Sequence, residues 1–209
     1  LRIAYSATLG YARPEAAVTK IVETAAMSFQ ELGCSVESVE TVFESDTIDL
    51  WNAEFYAGIS IRLRDFFERQ REFLDPAVAE VIDMALRQDM RSYYGKVFDR
   101  FALRERVRIF FERYDLLISL ALPVTSLDIS KNVPDSLQDR DLVSWTFYGY
   151  PFNLTGNPAA TVCAGIAEDG MPVGLQIVGR ALGEYDVIRA AAAYERAQPR
   201  DYNYCSFLP

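Results

Sequence analysis

The sequence predicts an α/β fold in which buried apolar strands alternate with helices, plus a helical insertion in the middle. Three observations carry that reading. Short strand-like apolar runs alternate with segments whose apolar residues recur at helical spacing. The tract from Thr47 to about Phe111 is helical almost throughout, and Gly, Pro and Asn stand where apolar runs must stop and turn. At 209 residues, 50% hydrophobic and 24% charged, the chain has the composition of an ordinary globular protein with one large domain or two small ones.

Residues 2–6 read as a short strand, followed by a turn through Leu9-Gly10, and Pro14 suits a first helical turn. Val18, Ile21, Val22, Ala25, Phe29 and Leu32 then keep helical spacing, and Gly33 stands where a C-terminal cap would end the helix. Cys34 to Val39 reads as a second strand, so the opening has the layout of a βαβ unit. Beyond it, Ser45, Asp46 and Thr47 offer N-caps, and Leu50, Trp51, Phe55, Ile59, Leu63, Phe66 and Phe67 form one apolar stripe. Asp75-Pro76 restarts a helix with Val78, Val81, Ile82 and Leu86 on its apolar face, and another runs from about Asp89 to Arg113. Strand text returns at 114–121 and stops before Pro123; the polar stretch from Ser126 to Asp141 is the best loop candidate to cover a pocket. After Tyr150-Pro151 come an Asn153-Leu154-Thr155-Gly156 turn, strands near 160–164 and 173–178, and a helix over 184–197. Gln176 interrupts an apolar strand, so it should be hydrogen-bonded in the core or near an active-site floor.

Charge and residue usage narrow the function classes. A net charge of −9 gives a surface that repels phosphate backbones and anionic lipid, so neither nucleic acid nor a membrane is expected as a partner. No apolar run approaches a membrane span in length, and no basic-then-apolar leader opens the chain. Cys34, Cys163 and Cys205 lack metal-ligand spacing, and reduced thiols in a cytoplasm are the simplest reading. With no histidine, any mechanism needing an imidazole base is excluded for this chain. The dinucleotide Gly-x-Gly-x-x-Gly, the P-loop, Gly-x-Ser-x-Gly and Ser-x-x-Lys are all absent, and no cofactor or metal is expected. The chain opens at Leu1 directly in strand text, as a piece of something longer would.

Four stretches carry a resemblance to a known family. They are Leu1–Ser6 with Leu9-Gly10; Phe110-Phe111-Glu112-Arg113-Tyr114-Asp115-Leu116-Leu117 ending in Leu122-Pro123-Val124; Phe152-Asn153-Leu154-Thr155-Gly156-Asn157-Pro158-Ala159; and Pro172-Val173-Gly174-Leu175-Gln176-Ile177-Val178-Gly179. In this order, with Ala190–Glu195 as a closing helix, they resemble the later part of the amidase signature family, which hydrolyses the C–N bonds of amides. The resemblance implies an amidase-signature-like mixed β-sheet flanked by helices, here incomplete. It implies the C-terminal portion of an amidase domain over 1–209: strand-helix-strand at 1–45, a helical region at 46–112, and strands with the closing helix at 113–209.

The family's chemistry uses a Ser–cis-Ser–Lys triad, with backbone N–H groups of a Gly/Ser-rich loop holding the oxyanion. This chain has no Gly-Gly, Gly-Ser, Ser-Gly or Ser-Ser dipeptide, and Lys20, Lys96 and Lys131 lie in no matching context. The resemblance therefore assigns no catalytic residue here and implies that the chain is inactive alone. It does imply a pocket wall: the segment Ser144–Tyr150, with Trp145, Thr146 and Tyr148 as substrate-binding residues. Relatives that deamidate glutamine carry an acid near the position of Thr146, so its absence argues against that subclass, while Trp145 and Tyr148 would favour an apolar or aromatic amide. The same aromatics read equally well as core. Ser119-Leu120-Ala121 stands where relatives have Thr-Pro-Thr, which alters the strand end beside the pocket.

Two further readings stay open. A non-catalytic binding or assembly module would cover its exposed sheet edge by self-association, as a homo-oligomer, or by docking with the missing half. A generic nucleotide binder rests only on the strand-helix-strand opening.

Overall fold

The computed structural model describes residues 1–199; Cys205, expected as a reduced thiol, lies outside them. β1 (Arg2–Tyr5), α1 (Ala16–Met27) and β2 (Ser35–Ser38) form the strand-helix-strand opening. The two strands run parallel with Ile3 opposite Val36, a pairing that requires a crossover rather than a tight turn. α1 starts two residues beyond Pro14, and its Val18, Val22, Ala25 and Ala26 are buried. A short 3-10 turn, Ser28–Gln30, follows, and Gly33 closes the run in the left-handed region at φ 79°.

The sheet has five strands in the order β2-β1-β3-β5-β4. β3 (Leu116–Leu120) is its centre: it runs parallel to β1 and antiparallel to β5 (Pro172–Gly179), and all five of its residues are buried. Burial on both faces explains why its text is continuously apolar rather than alternating. Each such Leu or Ile contributes about 2 kcal/mol of burial free energy. β4 (Ala159–Ile166) pairs antiparallel with β5 and ends the sheet, with a bulge between Cys163 and Gly165. α1 and α7 (Glu184–Ala197) lie across β4 and β5, and Phe29 stacks on Tyr194 with ring centroids 5.4 Å apart. The sheet is therefore mixed and flanked by helices.

The helical middle begins with α2 (Ile48–Trp51), passes through a π-helical turn (Asn52–Tyr56), and continues as α3 (Ala57–Gln70). α4 (Pro76–Leu86) is capped by Asp75, whose carboxylate accepts from the N–H groups of Ala77 and Val78. α5 (Met90–Arg113) is capped in the same way by Asp89 and drives Leu103, Val107 and Phe111 into the main core. Arg100 ties the insertion down, donating from Nε to the Leu154 carbonyl at 2.8 Å and pairing with Glu54.

Two sequence expectations need revision. Of the apolar stripe on α2–α3, Phe55, Leu63 and Phe66 stay 36–38% exposed, because α3 packs chiefly on α4. Only Phe67 joins Ala79 and Ile82 in a small satellite core. The Asn153–Gly156 segment is not a tight turn but the last part of a short helix, α6 (Tyr150–Thr155), ended by Gly156 at φ 75°. The polar stretch 126–141 is irregular apart from a 3-10 turn at Asp135–Leu137, whose Leu137 is buried.

Candidate functional site

The segment 144–150 crosses from the loop to α6 and is held from three sides. The Tyr11 hydroxyl donates to the Phe147 carbonyl at 2.7 Å, and the Tyr148 hydroxyl donates to the Ala7 carbonyl at 2.6 Å. From the sheet, the Gln176 side chain donates to the Tyr148 carbonyl at 2.9 Å and to Ser119 Oγ at 3.2 Å. This is the core hydrogen bonding that a Gln inside an apolar strand required. From the helical side, Tyr150 donates to Asp46 Oδ1 at 2.6 Å, and Arg140 holds Asp46 Oδ2 at 2.7 Å. The Arg140 guanidinium also lies over the Phe147 ring, 4.8 Å from its centroid. Asp46 Oδ1 accepts from the Ile48 N–H as well, so one carboxylate joins the start of α2, the loop and α6.

The three residues singled out by sequence occupy different depths. Trp145 is partly buried, and its indole donates to the Asn132 carbonyl at 3.0 Å. Thr146 is also partly exposed, its hydroxyl donating to the Val143 carbonyl at 2.7 Å. Tyr148 is fully buried behind them. The clamping residues Tyr11, Asp46 and Arg140 were not legible as site residues. Asp46 reads in sequence only as a helix cap, and Arg140 falls in the polar stretch 126–141 with no local signal of its own.

Burial pushes the hydroxyls of Tyr148, Tyr11 and Tyr150 well above the ordinary tyrosine range, with Asp46 adding to the effect at the last two. They remain protonated donors and cannot act as bases. The buried serines are occupied: Ser6 Oγ accepts from the Leu9 N–H at 3.0 Å, and Ser144 Oγ accepts from the Asp141 N–H at 2.9 Å. Lys131 is paired with Asp135 at 2.6 Å, and neither Lys20 nor Lys96 makes a side-chain hydrogen bond among the described residues. No serine hydroxyl is thus hydrogen-bonded to a lysine side chain within them. Nor, among them, does any group of three or more Cys, Asp or Glu side chains form a potential metal site. What the segment can offer a ligand is the half-buried Trp145 ring and the Thr146 hydroxyl, since the rings of Phe147, Tyr148 and Tyr150 are buried.

A groove of about 330 Å³ opens where β3 ends, lined in part by Ala121, Thr161, Cys163 and Gly174. A Cβ at position 174 would lie 2.8 Å from the Ala121 Cβ and 2.9 Å from the Thr161 Cγ2, so glycine is what lets the chain pack this closely there. Beyond it the outer edge of β4 pairs with no strand among the described residues.

A family model described as Amidase matches residues 1–188. The chain is 29% identical to an acylamidase of Rhodococcus erythropolis, over 95% of the chain and 43% of that protein. It is 28% identical to a glutamyl-tRNA(Gln) amidotransferase component of Latilactobacillus sakei, over 92% of the chain and 44% of that protein. Among solved structures, a bacterial aryl acylamidase of the amidase signature family superposes with a TM-score of 0.81 at 24% identity, covering 95% of this chain and 44% of the other. A 6-aminohexanoate cyclic dimer hydrolase superposes equally, TM-score 0.81, at 21% identity over 96% and 45% of the two chains. The mixed sheet with flanking helices is the fold of these enzymes, and the chain spans a little under half the length of each.

Proposed function

The chain belongs to the amidase family of hydrolases, and from that premise we propose that it is the C-terminal portion of an amidase domain acting on the C–N bond of a small amide. In this reading 1–45 and 113–209 supply sheet, 46–112 packs beside it, and the segment 144–150 forms a wall of the substrate pocket. The observation that carries the proposal is the immobilisation of that wall by Tyr11, Gln176 and Asp46, which lets the half-buried Trp145 ring be presented from a fixed backbone. Trp145 and Thr146 face the amide, while Tyr148 shapes the wall from behind. Thr146 is uncharged, so the pocket suits an apolar or aromatic amide rather than glutamine. The nucleophile and its base come from outside this chain, and the chain alone is inactive.

Two measurements test this. Purified chain should give no amide turnover above buffer, and any authentic turnover overturns the inactivity. In the full-length protein, Trp145→Ala should raise KM for an anilide about tenfold, the worth of one lost apolar contact. An unchanged KM removes Trp145 from the pocket.

A second reading is favoured by β4. Its eight residues carry no charge, and its outer edge is the kind that pairs with another chain unless covered. That edge would take either the rest of the amidase domain or a second copy of this chain, as a non-catalytic assembly module would. Light scattering of the isolated chain separates them: a monomer at all concentrations argues against self-association.

A further inference from the structure

α5 carries apolar residues on two opposite faces. One face, with Leu103, Val107 and Phe111, packs into the main core. On the other, Met90, Tyr94, Phe98, Phe101 and Ile109 recur at helical spacing and are 50–77% exposed. Phe98 and Val107 stand about two and a half turns apart, which sets them on opposite sides of the helix. A helix that is apolar on both sides needs cover on both.

The exposed face is self-complementary. If a second copy of the helix lies across it in the opposite direction, with Phe98 over Phe98, then Tyr94 meets Ala102, Gly95 meets Phe101, and Arg91 meets Glu105. Each large ring faces a small residue of the other copy, and each cation faces an anion. Gly95 is the most telling of these. A glycine inside a helix weakens it, and a Cβ at Gly95 would meet nothing within 4 Å, so nothing in the described fold requires that hollow. Arg91 has no ion-pair partner among the described residues. Glu105 is held by Arg108 through both oxygens, at 2.8 and 2.9 Å, but stays exposed and can take a second guanidinium. Two copies running in the same direction would instead bring Arg91 to Arg91, Glu105 to Glu105 and Gly95 to Gly95, placing like charges and a void together.

We propose that α5 is the interface of a two-fold symmetric dimer, in which a second copy of this chain lies antiparallel across it with Phe98 on the axis. The pattern selects a second copy over the rest of an amidase domain because it mirrors itself about one residue, which a different partner would not need. This interface is not the β4 edge, and it does not depend on amide hydrolysis. One helix face per copy is smaller than a standard interface, so the dimer forms with a Kd on the order of 10 μM.

Sedimentation velocity of the 209-residue chain, from well below to well above that concentration, should show a monomer passing to a dimer. Phe98→Glu sets two carboxylates on the axis and should weaken the dimer more than about tenfold. Its Tm, read where the chain is monomeric, should be unchanged, because Phe98 is exposed in the single chain. Arg91→Glu and Glu105→Arg should each weaken the dimer about tenfold, and the double variant should regain the parent affinity, since it restores the opposite-charge pairs. A chain monomeric throughout, a dimer that Phe98→Glu leaves intact, or a double charge reversal that fails to restore affinity would each overturn the proposal. So would a dimer lost in Thr161→Lys but kept in Phe98→Glu, which would place association at the β4 edge. A full-length protein that stays monomeric would overturn it too, giving the face to the rest of the amidase domain.

Discussion

Gln176 shows how much one side chain can decide. It is a polar residue in an apolar strand, and its amide fastens the wall to the central strands through Tyr148 and Ser119. Gln176→Leu would leave the Tyr148 carbonyl without its donor and should cost about 2 kcal/mol, read from the shift in urea midpoint. The glycines differ in the same instructive way. Gly156 sits at φ 75° with nothing within 4 Å of an added Cβ, so Gly156→Ala carries only the backbone penalty of about 1 kcal/mol. Gly10 sits at φ 98°, and its added Cβ would fall 2.3 Å from the Phe43 carbonyl oxygen. Gly10→Ala should therefore cost upwards of ~3 kcal/mol, strain and overpacking together. Equal losses for the two variants in thermal melts would contradict this geometry. Gln176 was legible in sequence because polarity within an apolar run demands a partner. Which partner it takes was not, because Tyr148 lies 28 positions away.

Elements were legible where local chemistry sets them. Asp75-Pro76 marked the start of α4 correctly, because a carboxylate cap and a proline at the first helical position act within one turn. Asp75→Ala should destabilise by about 1 kcal/mol and fray α4 first, visible as lost amide protection at Ala77 and Val78. The stripe on α3 misled because periodicity states which face is apolar, not whether a partner covers it. β1 and β3 are also joined electrostatically. The Arg2 backbone N–H, and then its guanidinium, hold Asp115 below the usual aspartate range. A carboxylate with a depressed folded pKa contributes stability that is present above its unfolded value, near ~4, and lost as pH falls through the folded value. Asp115→Asn should accordingly flatten the fall in stability on acidification below pH ~4, measured by denaturant titration across that range.

At the scale of the whole molecule, the sheet is asymmetric in how it ends. β2 is four residues long and carries Glu37, a short charged edge, whereas β4 is eight residues long and uncharged. Thr161 is exposed on β4. If that edge mediates self-association, Thr161→Lys should shift the chain toward monomer in sedimentation or light scattering, at little cost to its own fold. The same substitution should weaken docking of the remainder of an amidase domain if that is what the edge receives.

The sequence by itself determined the class of fold, the order of elements and the family, because turn chemistry, caps and periodicity are local and the amidase-like segments recur in order. It also determined that no imidazole base can act from within this chain, since a missing residue type needs no structure to interpret. The tertiary structure alone decided which side chains hold the wall. Tyr11 reaches Phe147 across 136 positions, and Asp46 meets Tyr150 across 104. It alone also decided that Tyr148 lies behind the wall, and that the Tyr56 hydroxyl and Asn52 Oδ1 are buried without a hydrogen-bond partner among the described residues. The physical reason is common to all three: burial and hydrogen-bond satisfaction are properties of what the chain brings together from afar, and no local pattern encodes them.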